Sequence, residues 1–278
     1  MSAEYCLPKL HKLIRNYHSL LFGIVFGNSF KRRRIFSFQQ GMSFLIDRLS
    51  NDIGSENIQL NSCLQNIEQK DNGSFKLLFS NKETTNCQKI ALCTPVESIP
   101  DLFEQIISKE ELLLLEEMQY AEIGITHFAL DSKHFPKNID GFGFLQKTSK
   151  EAPLLGAIFN SKVFEHCAPE GKELITCLSG GARHPEGARI TNSDTLKALT
   201  KNLASLLRIE TKELEVLNNW HWPKAIPQYS ARNHKAILKL SDKIQSEVKG
   251  LHIAANWNSG ISLSDRITAA MQLSEKLT

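Results

Sequence analysis

Apolar and polar positions recur along this chain with two different periods, and each period predicts its own kind of element. In residues 5–27, Leu7, Leu10, Leu13, Ile14, Leu20 and Leu21 recur with Lys9, Lys12 and Arg15 between them, which predicts one amphipathic helix or two. A helix is also expected over 43–49, after Gly41 and Met42. Residues 58–64 and 74–79 alternate on either side of Asp71, Asn72 and Gly73, and the Asn-Gly pair predicts a hairpin. A strand over 89–93 runs into Thr94 and Pro95, and a helix follows over 109–118. Strands are then expected over 123–130, 143–146, 154–159 and 173–178, with a loop at Gly180 and Gly181. Leu196, Leu199, Leu203, Leu206 and Leu207 mark a helix over 194–208 with Asp194 as its N-cap. After a strand over 214–217 the chain closes with a strand over 251–255, a turn over 256–260 and a helix from about 265 to 276. Strands mixed with helices in this order predict an α/β chain.

That last unit carries the most local information. Ser262 and Asp265 form a capping box with Asp in place of Glu. The N-terminus of the helix behind them offers free N–H groups and a partial positive charge, which suits an anion or a ring that becomes anionic. An ordinary capped terminal helix remains the plain alternative.

Composition narrows the function classes. The chain has 278 residues and a net charge of +3, enough length for a real core and too mild a basic excess for a nucleic-acid footprint. Its six cysteines show no CxxC pair and no metal spacing, and read as free or buried thiols of a reducing compartment. The apolar run nearest the N-terminus, 20–26, is interrupted by Gly23 and is short of the roughly 20 residues a spanning helix needs. No secretory signal is recognisable, so a cytoplasmic protein is expected. The basic run Lys31, Arg32, Arg33, Arg34 reads either as a solvated linker or as a peripheral membrane contact. Neither a catalytic triad nor a carboxylate pair stands out, and His184, His221 and His234 read as surface or loop histidines.

Taken in order, the segments resemble one family. The stretch 36–49 with Gly41 and Met42, the strand end 91–95, 141–145, 154–159, Gly180 with Gly181, 222–229, 250–256 and 260–265 resemble successive blocks of the oxygen-dependent protoporphyrinogen oxidases, within the flavin-containing amine oxidase-like proteins. The likeness runs from about residue 5 to 275 and covers the C-terminal portion of such a protein. The family's opening dinucleotide fingerprint, GxGxxG, is not in this sequence; Gly141-Phe-Gly143 lacks the third glycine. In the loop after Tyr229 the chain also departs from the family, whose Gly-His is replaced by Ser230, Ala231, Arg232 and Asn233 before His234.

The resemblance implies a two-domain flavin oxidase fold with a mixed-sheet substrate domain and without its N-terminal Rossmann βαβ. Residues 1–35 are then the remnant of a helical membrane-associated region, 36–100 and 216–278 belong to the FAD domain, and 101–215 form the substrate domain. It implies FAD as cofactor and oxidation of protoporphyrinogen IX to protoporphyrin IX in haem synthesis, with molecular oxygen reoxidising the flavin. Leu64 would touch the adenine side of FAD. Trp222 and the turn Ile261, Ser262 and Leu263 would lie together at the flavin, and Leu145, Ile158 and Leu178 would line an aliphatic substrate pocket. Coproporphyrinogen III oxidation is the neighbouring alternative. A non-catalytic remnant, or one chain of a split enzyme with an N-terminal partner chain, is the alternative from another class.

Overall fold

A computed structural model describes residues 8–19, 22, 35–147, 152–230 and 233–277 of the protein. Within it the chain divides into two units. One holds 1–34, 50–119 and 227–278, and the other holds 35–49 and 120–226. The division expected at 100/101 and 215/216 falls at 119/120 and 226/227, and residues 36–49, expected with 50–100, group with the second unit. Of the N-terminal helical pattern, the helix Pro8–Tyr17 is described, while the basic run at 31–34 lies outside the described residues. No helix among the described residues is long and apolar enough to cross a membrane.

In the first unit, strands β1 (Leu64–Gln69), β2 (Phe75–Phe79) and β3 (Thr84–Cys87) form an antiparallel sheet in that order. The hairpin is present, but its first strand is not 58–64. The turn closes with the Gly73 N–H donating to Lys70 O, which pairs Gln69 with Phe75 and fixes the register from the turn outward. Only the residues directly before the turn can reach partners, so pairing overrides the earlier alternating stretch. The polar β3 had no apolar alternation to announce it.

Strand β4 (Ile90–Leu92) matches the strand expected over 89–93, and a helix Lys109–Glu116 follows, closed at its start by a full Ser108/Glu111 capping box. The second unit is built on β5 (Tyr120–Asp131), β6 (Gly143–Leu145), β7 (Leu154–Phe159), β8 (Lys172–Gly180) and β9 (Glu215–Pro227). These make one five-stranded sheet in the order β6-β7-β8-β5-β9. One face is packed by Phe128, Leu154, Phe159, Ile175 and Cys177 against Leu199, Leu203 and Leu207 of the helix Ser193–Leu207. That helix starts one residue before the expected span, and its cap is Asn192, not Asp194: the Asn192 side chain accepts from the Asp194 N–H. Cap position is decided by which side chain can fold back onto the first turn, and Asn two residues upstream can. Strand β9 extends far beyond the expected 214–217, as an exposed edge strand whose polar residues hid it.

The first unit closes with helix His234–Glu247 and β10 (Leu251–Ile253), which pairs parallel to β4. No helix is expected there from the sequence, because its buried apolar stripe is only Ile237, Leu240 and Ile244, set among lysines and serines. The expected turn over 256–260 contains a short helix Asn256–Ser259 instead, because Trp257 is drawn into the core and its indole N–H donates to Thr94 O at 3.0 Å.

Candidate functional site

The end of β10 is held by side chains aimed at backbone. Asn258 accepts from the Ala255 N–H at 2.9 Å and donates to Ile253 O at 2.9 Å and to Ser241 Oγ at 3.2 Å. The Arg266 guanidinium donates to Ala254 O at 3.0 Å and Ser259 Oγ at 2.7 Å. The Tyr229 hydroxyl donates to Asn256 O. Gly260 then turns with φ of 96°, a backbone that glycine tolerates without a Cβ penalty. The expected capping box is formed: the Asp265 N–H donates to Ser262 Oγ at 3.1 Å and the Ser262 N–H to Asp265 Oδ2 at 3.3 Å. Helix Leu263–Leu277 follows, with Ile261, Ser262 and Leu263 exposed at its mouth. The Leu263 and Ser264 amides have no acceptor among the described residues. A rigid loop therefore presents unpaired N–H groups beside apolar surface, a fit for a flat ring with an anionic edge.

In the second unit, the sheet face opposite the core is open. Pairing runs Leu145↔Gly156↔Leu178↔Ile125 across four strands, with Ile158↔Thr176↔His127 in the next row. Side chains two apart on a strand share a face, so Leu145, Ile158 and Leu178 are brought together on the same surface. Leu145 is 93% exposed and Ile158 38%. Gly156 sits between the leucines, and a Cβ there would meet Phe144 O at 2.5 Å and Leu145 Cδ2 at 3.1 Å. Gly156 contributes no side chain of its own, and Leu145 Cδ2 leans over it. Trp222, 54% exposed, lies on edge strand β9, and alternation puts it on the face of Trp220, which meets His127 ring to ring at 5.3 Å. Leu64 opens β1 in the first unit, half-buried beside a register shift in the β1–β2 pairing. The residues 261–263 also belong to the first unit, and Trp222 to the second.

Of this sheet's polar groups, His127, Thr176 and Asn160 carry no expectation from the sequence, and His221, expected on the surface or in a loop, is half-buried on β9. His127 Nδ1 lies 2.9 Å from Thr176 Oγ1, whose own proton goes to Asn160 Oδ1 at 2.6 Å. Burial lowers the His127 pKa, which favours the neutral ring. An isolated histidine within an alternating strand carries no sequence signal that distinguishes it. On the opposite face the His221 Nε2–H donates to Glu122 at 2.9 Å. His234 is a correction: it is buried at the start of its helix, stacked on Tyr229 at 4.2 Å, and not a surface residue. Burial pushes the Cys177 thiol up to about 12, which removes it as a nucleophile. Among the described residues five cysteines are free thiols, and no cluster suited to a metal occurs.

Comparison with known proteins gives a consistent result. The family model described as flavin containing amine oxidoreductase matches residues 1–262. The mitochondrial protoporphyrinogen oxidase of Nicotiana tabacum is 24% identical, over 97% of this chain and 59% of that protein. The coproporphyrinogen III oxidase of Bacillus subtilis (strain 168) is 19% identical, over 69% of this chain and 40% of that protein. The chain spans about half the length of the curated relatives it matches. Among solved structures, a candidate protoporphyrinogen oxidase from Exiguobacterium superposes with a TM-score of 0.77 at 17% identity, over 97% of this chain and 57% of that one. A reduced UDP-galactopyranose mutase does so with 0.65 at 14%, over 86% and 51%. At these identities the structural matches establish an α/β flavin-oxidase fold portion.

Proposed function

The chain belongs to the flavin containing amine oxidoreductase family, and from that premise we propose that it supplies the flavin-facing turn and the substrate face of a porphyrinogen oxidase. Membership brings FAD as the cofactor. When bound, FAD supplies the oxidation chemistry, while the protein supplies position, electrostatics and exclusion of water. The residues at 261–264 fit the flavin end, since unpaired amides at a helix N-terminus favour a ring that gains negative charge on reduction. The pyrophosphate end has no matching glycine-rich turn in this sequence, and a partner chain or segment carrying one is what this reading calls for.

In this reading 36–100 and 216–278 are the FAD part and 101–215 the substrate part, with Leu64 toward the adenine and Trp222 beside the flavin. Leu145, Ile158 and Leu178 hold the apolar macrocycle of protoporphyrinogen IX, which is oxidised to protoporphyrin IX with oxygen as the final acceptor. Coproporphyrinogen III is the second substrate candidate, supported by the Bacillus relative.

The observation that carries the proposal is the exposed aliphatic face on which Leu145, Ile158 and Leu178 meet. A flat ring needs broad apolar contact. The test is titration of the purified chain with protoporphyrin IX, followed by porphyrin fluorescence. Leu145→Asp is expected to leave the melting temperature unchanged, because the side chain is almost wholly exposed, and to weaken binding about tenfold or more. Equal binding by Leu145→Asp and the parent chain would reject the substrate face.

A further inference from the structure

We propose that His127 is a substrate-contacting residue whose Nε2 accepts a hydrogen bond from a pyrrole N–H of the tetrapyrrole laid on the open face of the second unit's sheet. This rests on the porphyrinogen reading above and goes beyond it, since it assigns a polar anchor to a face otherwise described by its aliphatic side chains.

The tautomer follows from hydroxyl chemistry. Thr176 has one hydroxyl proton, and it is committed to Asn160 Oδ1 at 2.6 Å. Toward His127, at 2.9 Å, the same oxygen can only accept, so the proton is on Nδ1. The neutral ring therefore carries its lone pair on Nε2. No donor to Nε2 is present among the described residues. The edge of Trp220, 5.3 Å away at an interplanar angle of 74°, restrains the ring plane from the other side. A hydrogen bond on one imidazole nitrogen is the device that fixes the tautomer and aims the other nitrogen.

What surrounds that lone pair decides the kind of ligand. His127 stands in the row of Ile158, one row from Leu178 and Ile125. A half-buried acceptor among aliphatic carbons is costly to cover unless a donor meets it. A porphyrinogen has an apolar periphery apart from its acidic edges, and its N–H groups lie at its centre. Laid on this face it covers the aliphatic carbons and brings a donor to the acceptor. A ligand with a central carboxylate or carbonyl would set acceptor against acceptor.

The experiment titrates the purified chain by calorimetry, under anaerobic reducing conditions, with protoporphyrinogen IX, whose sp3 bridges let its pyrrole N–H groups tilt out of the ring, and compares His127→Leu, His127→Gln and Thr176→Val. Loss of one hydrogen bond predicts roughly five- to tenfold weaker binding for His127→Leu. His127→Gln keeps an acceptor at the end of the side chain and is expected to stay within about twofold of the parent, with Thr176→Val between the two. Equal losses in the Leu and Gln variants would mark the ring as packing alone and overturn the inference, as would no loss in His127→Leu. A parent chain that does not bind the porphyrinogen overturns the substrate face itself, and the inference with it. A measurement on the unmutated protein guards against a variant that does not fold. The ¹⁵N resonance of His127 Nε2 is expected to shift on adding protoporphyrinogen IX while Nδ1 stays protonated, and an unmoved Nε2 resonance overturns the proposal.

Discussion

Glu173 shows how one residue can tie stability to pH. Its buried carboxylate accepts from Ser132 at 3.1 Å, Ser161 at 2.5 Å and Lys162 at 2.7 Å. Burial alone would raise its pKa; the Lys162 and serine donors outweigh it and leave the group below the ordinary carboxylate value. A depressed folded pKa means that the unfolded chain binds the proton more tightly. The stabilisation is present above the unfolded value of about 4.3 and is lost as pH falls through the folded one. Glu173→Gln is expected to flatten the acid limb of a urea-midpoint profile recorded between about pH 7 and pH 3, and an unchanged profile would count against the assignment. Glu173→Ala should cost about 1–3 kcal/mol at neutral pH, since three donors lose their acceptor. Trp257 poses the corresponding question in the first unit. It is fully buried, and Trp257→Ala is expected to lower stability by about 3–5 kcal/mol in chemical denaturation.

At the scale of elements, the terminal helix and the sheet face respond to different changes. Helix Leu263–Leu277 buries none of its residues, so its cap matters more than its packing. Ser262→Ala is expected to cost about 1 kcal/mol locally, seen as faster amide exchange in the first helical turn with the global melting temperature little changed. Protection unchanged by the substitution would mean that the box does not hold the turn. On the sheet, Gly156→Ala drives a Cβ to 2.5 Å from Phe144 O, so β6 must move off β7. A loss of about 1–3 kcal/mol is expected in thermal melts, together with weaker porphyrin binding. Stability and binding should fall together here, whereas Leu145→Asp separates them.

For the whole chain, the prediction concerns cofactor retention. Pyrophosphate in a Rossmann-type site rests on a glycine turn and a helix N-terminus, and no such glycine pattern occurs in these 278 residues. If the missing contacts are worth about 4 kcal/mol, FAD binds roughly a thousandfold more weakly than in a full site. The purified chain is expected to lose its flavin absorption band on dialysis, and a stoichiometric yellow cofactor that survives dialysis would refute this. Flavin retention or porphyrinogen oxidation restored by co-expression with a GxGxxG-bearing partner chain would support the split-enzyme reading.

Much of the fold was legible because its signals are local. The strand Leu154–Phe159 was read to the residue, and the hairpin turn, the helix behind Ser262 and the Ser262/Asp265 box follow from short-range chemistry. The family and its cofactor were legible in the order of the blocks. What the sequence could not reach depends on partners distant along the chain. Strand β9 is a strand because β5 offers it an edge, not because its residues alternate. That Leu145, Gly156 and Leu178 stand in one row is set by the register of three strands, a relation that no local pattern contains. The neutral tautomer of His127 depends on Thr176, 49 residues away, and on Asn160 beyond it. Local propensity and capping are written within a few residues of each other, whereas register, burial and tautomer are decided only when the sheet closes and brings those residues into contact.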